Sequence, residues 1–280
     1  MNSAVQPQRL VPGLSGVPET MLMTVWNRAA FAQGADPLLD DPVLLQLIER
    51  IDYDFQGRFG KAQAAHGIRS RYADDRVRDF LSRYPDGTVV ALGEGLETQL
   101  WRVDNGRVKW YSVDLPEAIE TRRAFLPAHP RNTLLACSAL DRQWLEVVSQ
   151  QTRGPVFVTA AGLLMYFQAA QVLDLLQRLV RRLGQGELFF DCIPPWYSRK
   201  TLKGLAMTPR YQVPPMPFGI ALGELESFVH QVPGLQVVQA LTYGEPWPRY
   251  IRALALLSRI WPLRQRLAPA LVHCRFTHHD

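Results

Sequence analysis

The stretch Val89–Pro116, VVALGEGLETQLWRVDNGRVKWYSVDLP, constrains what this chain can fold into more than any other. Thr88–Leu92 is a short apolar and β-branched run, suited to a buried parallel strand. Gly93 and Gly95 follow at once, where a backbone turns sharply and lets a ligand come close. After a short helix, a second apolar run, Val108–Val113, ends in Asp114. That carboxylate stands about twenty residues after the glycines, the spacing at which nucleotide-binding sheets hold a ribose diol. The pattern predicts an adenosine-containing cofactor at the carboxyl ends of parallel strands.

The rest of the chain extends this unit. Before it, helices are expected over Glu19–Gln33, over Asp41–Ile51 with Asp41 as N-cap and Pro42 at the first helical position, and over Arg71–Tyr84. After it, strands over Asn132–Cys137, Pro155–Ala160 and Glu187–Asp191 alternate with helices near Pro116–Phe125, Arg142–Ser149 and Ala169–Leu183. Residues 193–220 break the rhythm with prolines and aromatics and read as a substrate lid. A helix Leu222–Gln231, a strand Leu235–Leu241 and a final edge strand Ala270–Thr277 complete the set. The fold class is α/β, a Rossmann-like doubly wound, mostly parallel sheet. Residues 1–18 are expected as a flexible arm and 19–280 as one domain: a helical cap (19–87), a cofactor-binding core (88–192), the lid (193–221) and the C-terminal part of the sheet (222–280).

The 280 residues, 47% hydrophobic and 20% charged, suit such a domain. The net charge of +5 is read as dispersed surface charge, with no basic run that suggests nucleic acid. Cys137, Cys192 and Cys274 lack disulfide or metal spacing, and no segment approaches the ~20 apolar residues of a membrane span. No signal peptide is read at the N-terminus. A soluble cytoplasmic protein is expected, with a small-molecule partner and no nucleic-acid or membrane partner; the oligomeric state, including a homodimer, stays open. His273, Cys274, His278 and His279 match no standard metal site, so no metal is expected.

The glycines alone do not choose the nucleotide. Thr98 occupies the third fingerprint position, where a dinucleotide fold wants a small residue, which disfavours NAD. No phosphate-cradling GxxxxGK[ST] loop is present. A ligand without pyrophosphate, S-adenosylmethionine (SAM), suits a GxG turn and a ribose acid better.

The segments PETMLMTVWNRA (18–29), IDYDFQGRFG (51–60), GIRSRYADDRVRDFL (67–81), WYSVDLPEAIETRR (110–123), SALDRQWL (138–145) and AAGLLMYF (160–167) carry a resemblance, together with the glycine stretch. The chain resembles the leucine carboxyl methyltransferase family of class I SAM-dependent methyltransferases, in its bacterial polyketide O-methyltransferase branch. The resemblance covers most of residues 18–191 and is loose beyond 193. It implies SAM as cofactor and S-adenosylhomocysteine as product.

It also implies residue roles. Arg69, placed just before a helix, would clamp the SAM carboxylate, for which a guanidinium fork is suited. Gly93 and Gly95 would let the backbone approach the methionine part. Asp114 would take the ribose, with Leu115 beside it, or cap the helix that Leu115-Pro116 begins. Ser138, Ala139 and Leu140 would lie at the adenine, where many relatives have an Asp-Leu pair in place of Ser138-Ala139. Asp141 reads as a helix N-cap. The family's glutamate after strand four, a contact for the cofactor's amino group, is Ala161 here. A lost charge-assisted bond removes about 1.5–3 kcal/mol. Glu97 is a candidate substitute acid.

Catalytic residues are harder to name. Tyr53, Asp54, Tyr166, Asp191 and Tyr197 are candidates to line the acceptor pocket by position, and Tyr53, Tyr166, Asp191 and Tyr197 are taken as the catalytic set. His66 is read as a surface residue rather than a base. The expected reaction is O-methylation of a carboxylate or phenolic hydroxyl on a polyketide- or peptide-like small molecule in secondary metabolism. Two other readings share these residues: a SAM-fold protein repurposed for cyclisation or elimination, and a non-catalytic interaction subunit.

Overall fold

The computed structural model describes residues 13–14, 16–34 and 37–278, so most of the expected N-terminal arm lies outside the described residues. Four helices come first: α1 (Thr20–Ala30), α2 (Pro42–Arg50), α3 (Phe55–Phe59) and α4 (Ala65–Arg83). The α/β core then runs β1 (Thr88–Leu92), α5 (Gln99–Val103), β2 (Lys109–Asp114), α6 (Pro116–Phe125), β3 (Asn132–Ala136), α7 (Gln143–Gln151), β4 (Val156–Ala160), α8 (Ala169–Leu183) and β5 (Gln185–Cys192). Next come α9 (Pro195–Leu202), a small hairpin of β6 (Ala206–Thr208) and β7 (Tyr211–Gln212), and α10 (Leu225–Val229). β8 (Leu235–Thr242), α11 (Arg252–Ser258), α12 (Trp261–Leu267) and β9 (Ala270–Thr277) end the chain.

The main sheet has the order β3-β2-β1-β4-β5-β9-β8. β1 to β5 pair in parallel, and β9 runs antiparallel between β5 and β8. This is the Rossmann-like class I methyltransferase fold. β1 and β4 are buried along their whole length, as strands covered by helices on both faces must be. The strand order reverses at β1, whose neighbours are β2 and β4, and a crevice opens there at the carboxyl ends.

The last strand corrects an expectation. β9 is interior, not an edge, and β8 forms the edge instead. The reason is legible in hindsight. Leu271, Val272, Cys274 and Phe276 are at most 1% exposed and lie on both faces, whereas β8 alternates with exposed polar residues. Helix boundaries shift too. α4 begins six residues earlier than expected, so Arg69 lies inside a helix rather than before one. The helix expected from Arg142 begins at Gln143, and Asp141 is not its N-cap; its carboxylate accepts instead from Ser138 N–H at 2.9 Å.

Asp41 does cap α2, accepting from Leu44 N–H at 2.9 Å. The segment 193–220 is packed into the cap: Tyr211, Val213 and Met216 share one apolar cluster with Leu22, Val25, Leu44, Leu47 and Phe59. Thr208 donates to the Arg58 carbonyl at 2.7 Å, and Tyr211 meets Phe59 edge-on at 4.8 Å.

Candidate active site

One cleft opens at the carboxyl ends of β1, β2 and β4, with α1 and α4 as its outer wall. Gly93, Gly95, Asp114, Leu115, Ala161 and Tyr166 line it, with Arg69, Glu94 and Glu97. Val17 and Pro18, at the end of the expected arm, also line it.

The glycine turn is built for close approach. Gly93 and Gly95 have φ of +63° and +50°, and a Cβ on Gly93 would stand 2.7 Å from Leu163. The turn is tied from behind. Arg122, 2% exposed, donates to the carbonyls of Gly95 (2.8 Å) and Glu97 (2.7 Å). Arg28, 1% exposed, donates to the Leu96 carbonyl at 2.9 Å and pairs with Glu97 at 2.6 Å. Arg102 joins the same network, bidentate on Asp74 at 2.6 and 2.9 Å and also paired with Asp41 and Glu97. Burial opposes charge on Glu97, but Arg28 and Arg102 outweigh it and hold its carboxyl far below the usual range. Thr98, singled out as a departure from dinucleotide folds, is fully buried here and donates to Asp41.

Asp114 accepts from Gly95 N–H (2.7 Å) and Leu115 N–H (2.8 Å), which fixes the plane of its carboxylate at the cleft. Burial raises its pKa, against those two backbone bonds. Arg69 crosses over from α4. Its Nη1 pairs with Asp191 at the end of β5 (3.2 Å), and its Nε has no hydrogen-bond partner among the described residues. Burial opposes its charge, but Asp191 outweighs that and keeps the guanidinium charged. Gly162 makes the crossing feasible: a Cβ there would stand 2.4 Å from Arg69 Nη1. Asp191, 3% exposed, also accepts from Gly162 N–H and from the Tyr243 hydroxyl at 2.7 Å.

The remaining candidates separate. Tyr166 lines the cleft, and burial pushes its hydroxyl up to about 12. Asp191 lies beneath Arg69 rather than on the cleft wall. Tyr53 donates to Glu19 at 2.6 Å inside the cap, with its own pKa pushed up to about 12 by burial and by Glu19. Asp54 caps α3 and pairs with Arg210. Tyr197 packs edge-on against Trp196 in α9. Ser138, Ala139 and Leu140 stand one strand beyond Asp114 and are not among the cleft-lining residues; the Ser138 hydroxyl accepts from Leu140 N–H at 3.1 Å. His66 is half-buried: its Nδ1 is 2.7 Å from Asn27 Nδ2, and desolvation with the charges of Arg69 and Arg28 pushes it down to about 3. Of the tail residues weighed as a metal site, His273 is bonded to Glu187 at 2.9 Å, and His279 lies outside the described residues. Sequence reasoning missed Arg28, Asp74, Arg102 and Arg122. The available signal was a charge on the apolar face of a helix, as with Arg28 among the buried residues of α1.

The sequence model of the leucine carboxyl methyltransferase family matches residues 21–180. The chain belongs to this family. It is 33% identical over 227 residues to the tetracenomycin polyketide synthesis O-methyltransferase TcmP of Streptomyces glaucescens, covering 80% of this chain and 82% of that one. It is 29% identical over 199 residues to the S-adenosyl-L-methionine-dependent methyltransferase dpfgK of Gibberella zeae, covering 64% of this chain and 66% of that one. Among solved structures, an O-methyltransferase family protein from Burkholderia thailandensis aligns at 16% identity with a TM-score of 0.44, over 78% of this chain and 64% of its own.

A leucine carboxyl methyltransferase of this kind is an enzyme that uses SAM. The cleft fits that cofactor. Two left-handed glycines leave a cradle that side chains would fill, Asp114 presents oriented lone pairs, and the buried Arg69 Nε has donor capacity to spare. Ala161, on the cleft wall, offers no charge. Glu97 lines the cleft, but its oxygens already serve Arg28, Arg102 and Ser70.

Proposed function

We propose that this methyltransferase transfers the SAM methyl group to a carboxylate oxygen of a polyketide- or peptide-like small molecule, as a tailoring step of secondary metabolism. The observation that carries the choice of acceptor is how the groups at the cleft are already engaged: Glu97 is paired with Arg28 and Arg102, Asp114 accepts from two backbone N–H groups, and Glu94 pairs with Arg122. The cleft's lining residues include no histidine, and Tyr166, pushed up to about 12, is protonated at neutral pH. His66 behind the wall, pushed down to about 3, is a weak base. A carboxylate acceptor, with an ordinary pKa near 4, is already ionised and needs no proton removed. A phenol, near 10, would profit from a base. The phenolic reading is kept because TcmP, by name an O-methyltransferase of polyketide synthesis, is a relative.

In the roles proposed here, Arg69 clamps the cofactor carboxylate, Asp114 accepts from the ribose hydroxyls, and the Gly93–Gly95 turn admits the methionine part. SAM, when bound, supplies an electrophilic methyl on sulfur. The chain's own contribution is alignment: rigid walls that hold an acceptor oxygen about 3 Å from the methyl, in line with the leaving group. Tyr166 can donate a hydrogen bond that orients the acceptor. Asp191 acts by positioning Arg69 and Gly162. All three cysteines are free and buried, in keeping with a reducing, cytoplasmic setting.

The test is calorimetric titration with SAM, S-adenosylhomocysteine and NAD, followed by labelled-methyl transfer to paired aromatic acids and their phenolic analogues. Binding of both sulfur ligands but not NAD, with label entering a base-labile methyl ester, is the expected result. Label in an ether would move the acceptor to a phenol. Cofactor binding without transfer to any acceptor would favour a repurposed site, and no binding would favour an interaction subunit.

A further inference from the structure

The basic residues are less dispersed than their spacing suggests, because the acids are missing in two places. Residues 192–223 and residues 246–279 contain no aspartate or glutamate. The two stretches meet in space. Trp196 in α9 donates through Nε1 to the Leu267 carbonyl of α12 at 3.0 Å, and Lys200 lies 5.1 Å from the Trp196 ring centre. Arg199, Lys200 and Lys203 are exposed on one stretch, and Arg252, Arg259 and Arg266 on the other. The acids of neighbouring elements are directed elsewhere: Glu245 pairs with Arg264 at 3.1 Å, and Glu224, on the turn packed against α12, turns back to Ala221 N–H.

Large apolar side chains stand among these cations. Leu202 is 54% exposed, Leu256 60%, Ile260 52% and Trp261 69%. Ile260 and Trp261 stand at the corner where α11 gives way to α12.

We propose that this face docks on an anionic lipid surface. Aromatic and aliphatic tips flanked by arginines are the chemistry of an interfacial anchor: the tips enter the headgroup boundary while the cations meet the lipid phosphates. Exposed apolar tips at a helix corner suit a fluid bilayer, which parts around them. The uniform positive charge opposes a second copy of the chain at the same face. The contact is peripheral; no helix among the described residues is long and apolar enough to cross a membrane. The α11–α12 segment joins Thr242 of β8 to Ala270 of β9, whose partner in β5 is Cys192, so it lies at the carboxyl-end side of the parallel strands, where the cleft opens.

The test is sedimentation of the full chain with phosphatidylcholine vesicles, with and without phosphatidylglycerol. Binding to the phosphatidylglycerol vesicles alone, lost as salt is raised, is expected. Arg259→Gln and Arg266→Gln should each weaken it about fivefold. The double change Ile260→Ser with Trp261→Ser should bring it to the level of pure phosphatidylcholine, with circular dichroism and SAM binding unchanged. Failure to sediment with anionic vesicles at low salt would overturn the proposal and point to an acidic protein partner. Equal binding to both vesicle types, or undiminished binding by the serine variant, would also overturn it.

Discussion

The two ends of the cleft are held in opposite ways. Behind the glycine turn, at β1 and β2, charge is matched with charge: Arg28 with Glu97, and Arg102 with Asp41, Asp74 and Glu97. At the carboxyl ends of β4 and β5 Arg69 pairs with Asp191, and Ala161 beside them offers no charge. Both ends bury their ions, so burial does not tell scaffold from site. Position does. Arg102 is spent on carboxylates and Thr98, and Arg122 ties the Gly95 and Glu97 carbonyls from behind the turn, whereas Arg69 lines the cleft with a buried Nε that lacks a partner among the described residues. In the roles proposed above, the first network supports the turn and Arg69 meets a ligand's charge.

The sharpest way to break this contrast is Arg102→Ala. It strands buried Asp74 and Asp41, and removing one partner of a buried ion network costs about 3–5 kcal/mol. Urea denaturation should show that loss; a change within experimental error would mean that the network is not a support. Next in size, Asp114→Asn should weaken SAM binding by about ten- to hundredfold, the cost of about 1.5–3 kcal/mol per charged hydrogen bond. Melting of the ligand-free protein should hardly move. Unchanged calorimetric affinity would remove Asp114 from the ribose role.

Ala161→Glu probes the other end. The added carboxylate would face the cleft and should tighten SAM by about tenfold, within the range of one charge-assisted bond. Weaker binding would show that the β4–β5 end has been reshaped around the small residue.

The smallest effect concerns pH. Burial, Arg69 and Arg28 push His66 down to about 3 from an ordinary 6.5. The unfolded chain therefore takes up a proton that the folded one refuses as pH falls below 6.5. Its contribution to stability is complete above 6.5 and declines on acidification towards about 3. Denaturation midpoints measured from pH 7 to 5 should fall, and His66→Gln should flatten that slope. An identical slope in the variant would place the acid sensitivity elsewhere.

Much of this architecture was legible before the structure. The β1 and α8 boundaries agree with their predicted ranges, and Asp41 caps α2 as its neighbour Pro42 suggested. Gly93, Gly95 and Asp114 converge as their spacing implied, and Arg69 joins them, though from inside a helix. The acceptor side was not legible. Tyr53 is spent on Glu19 and Tyr197 on Trp196, because an aromatic residue near a motif carries no sign of which cluster it will enter.

Strand–helix alternation, the glycine turn and the carboxylate at the end of β2 were determined by sequence alone, since each depends on backbone preferences and periodicities that act over a few residues. Only the tertiary structure decided that β9 inserts between β5 and β8, that Arg69 meets Asp191 across 122 positions, and that two acid-free stretches meet at Trp196 and Leu267. Those outcomes turn on which distant surfaces pack together. A charge or a strand reads the same in sequence whichever partner it finds, and only the geometry of burial chooses among them.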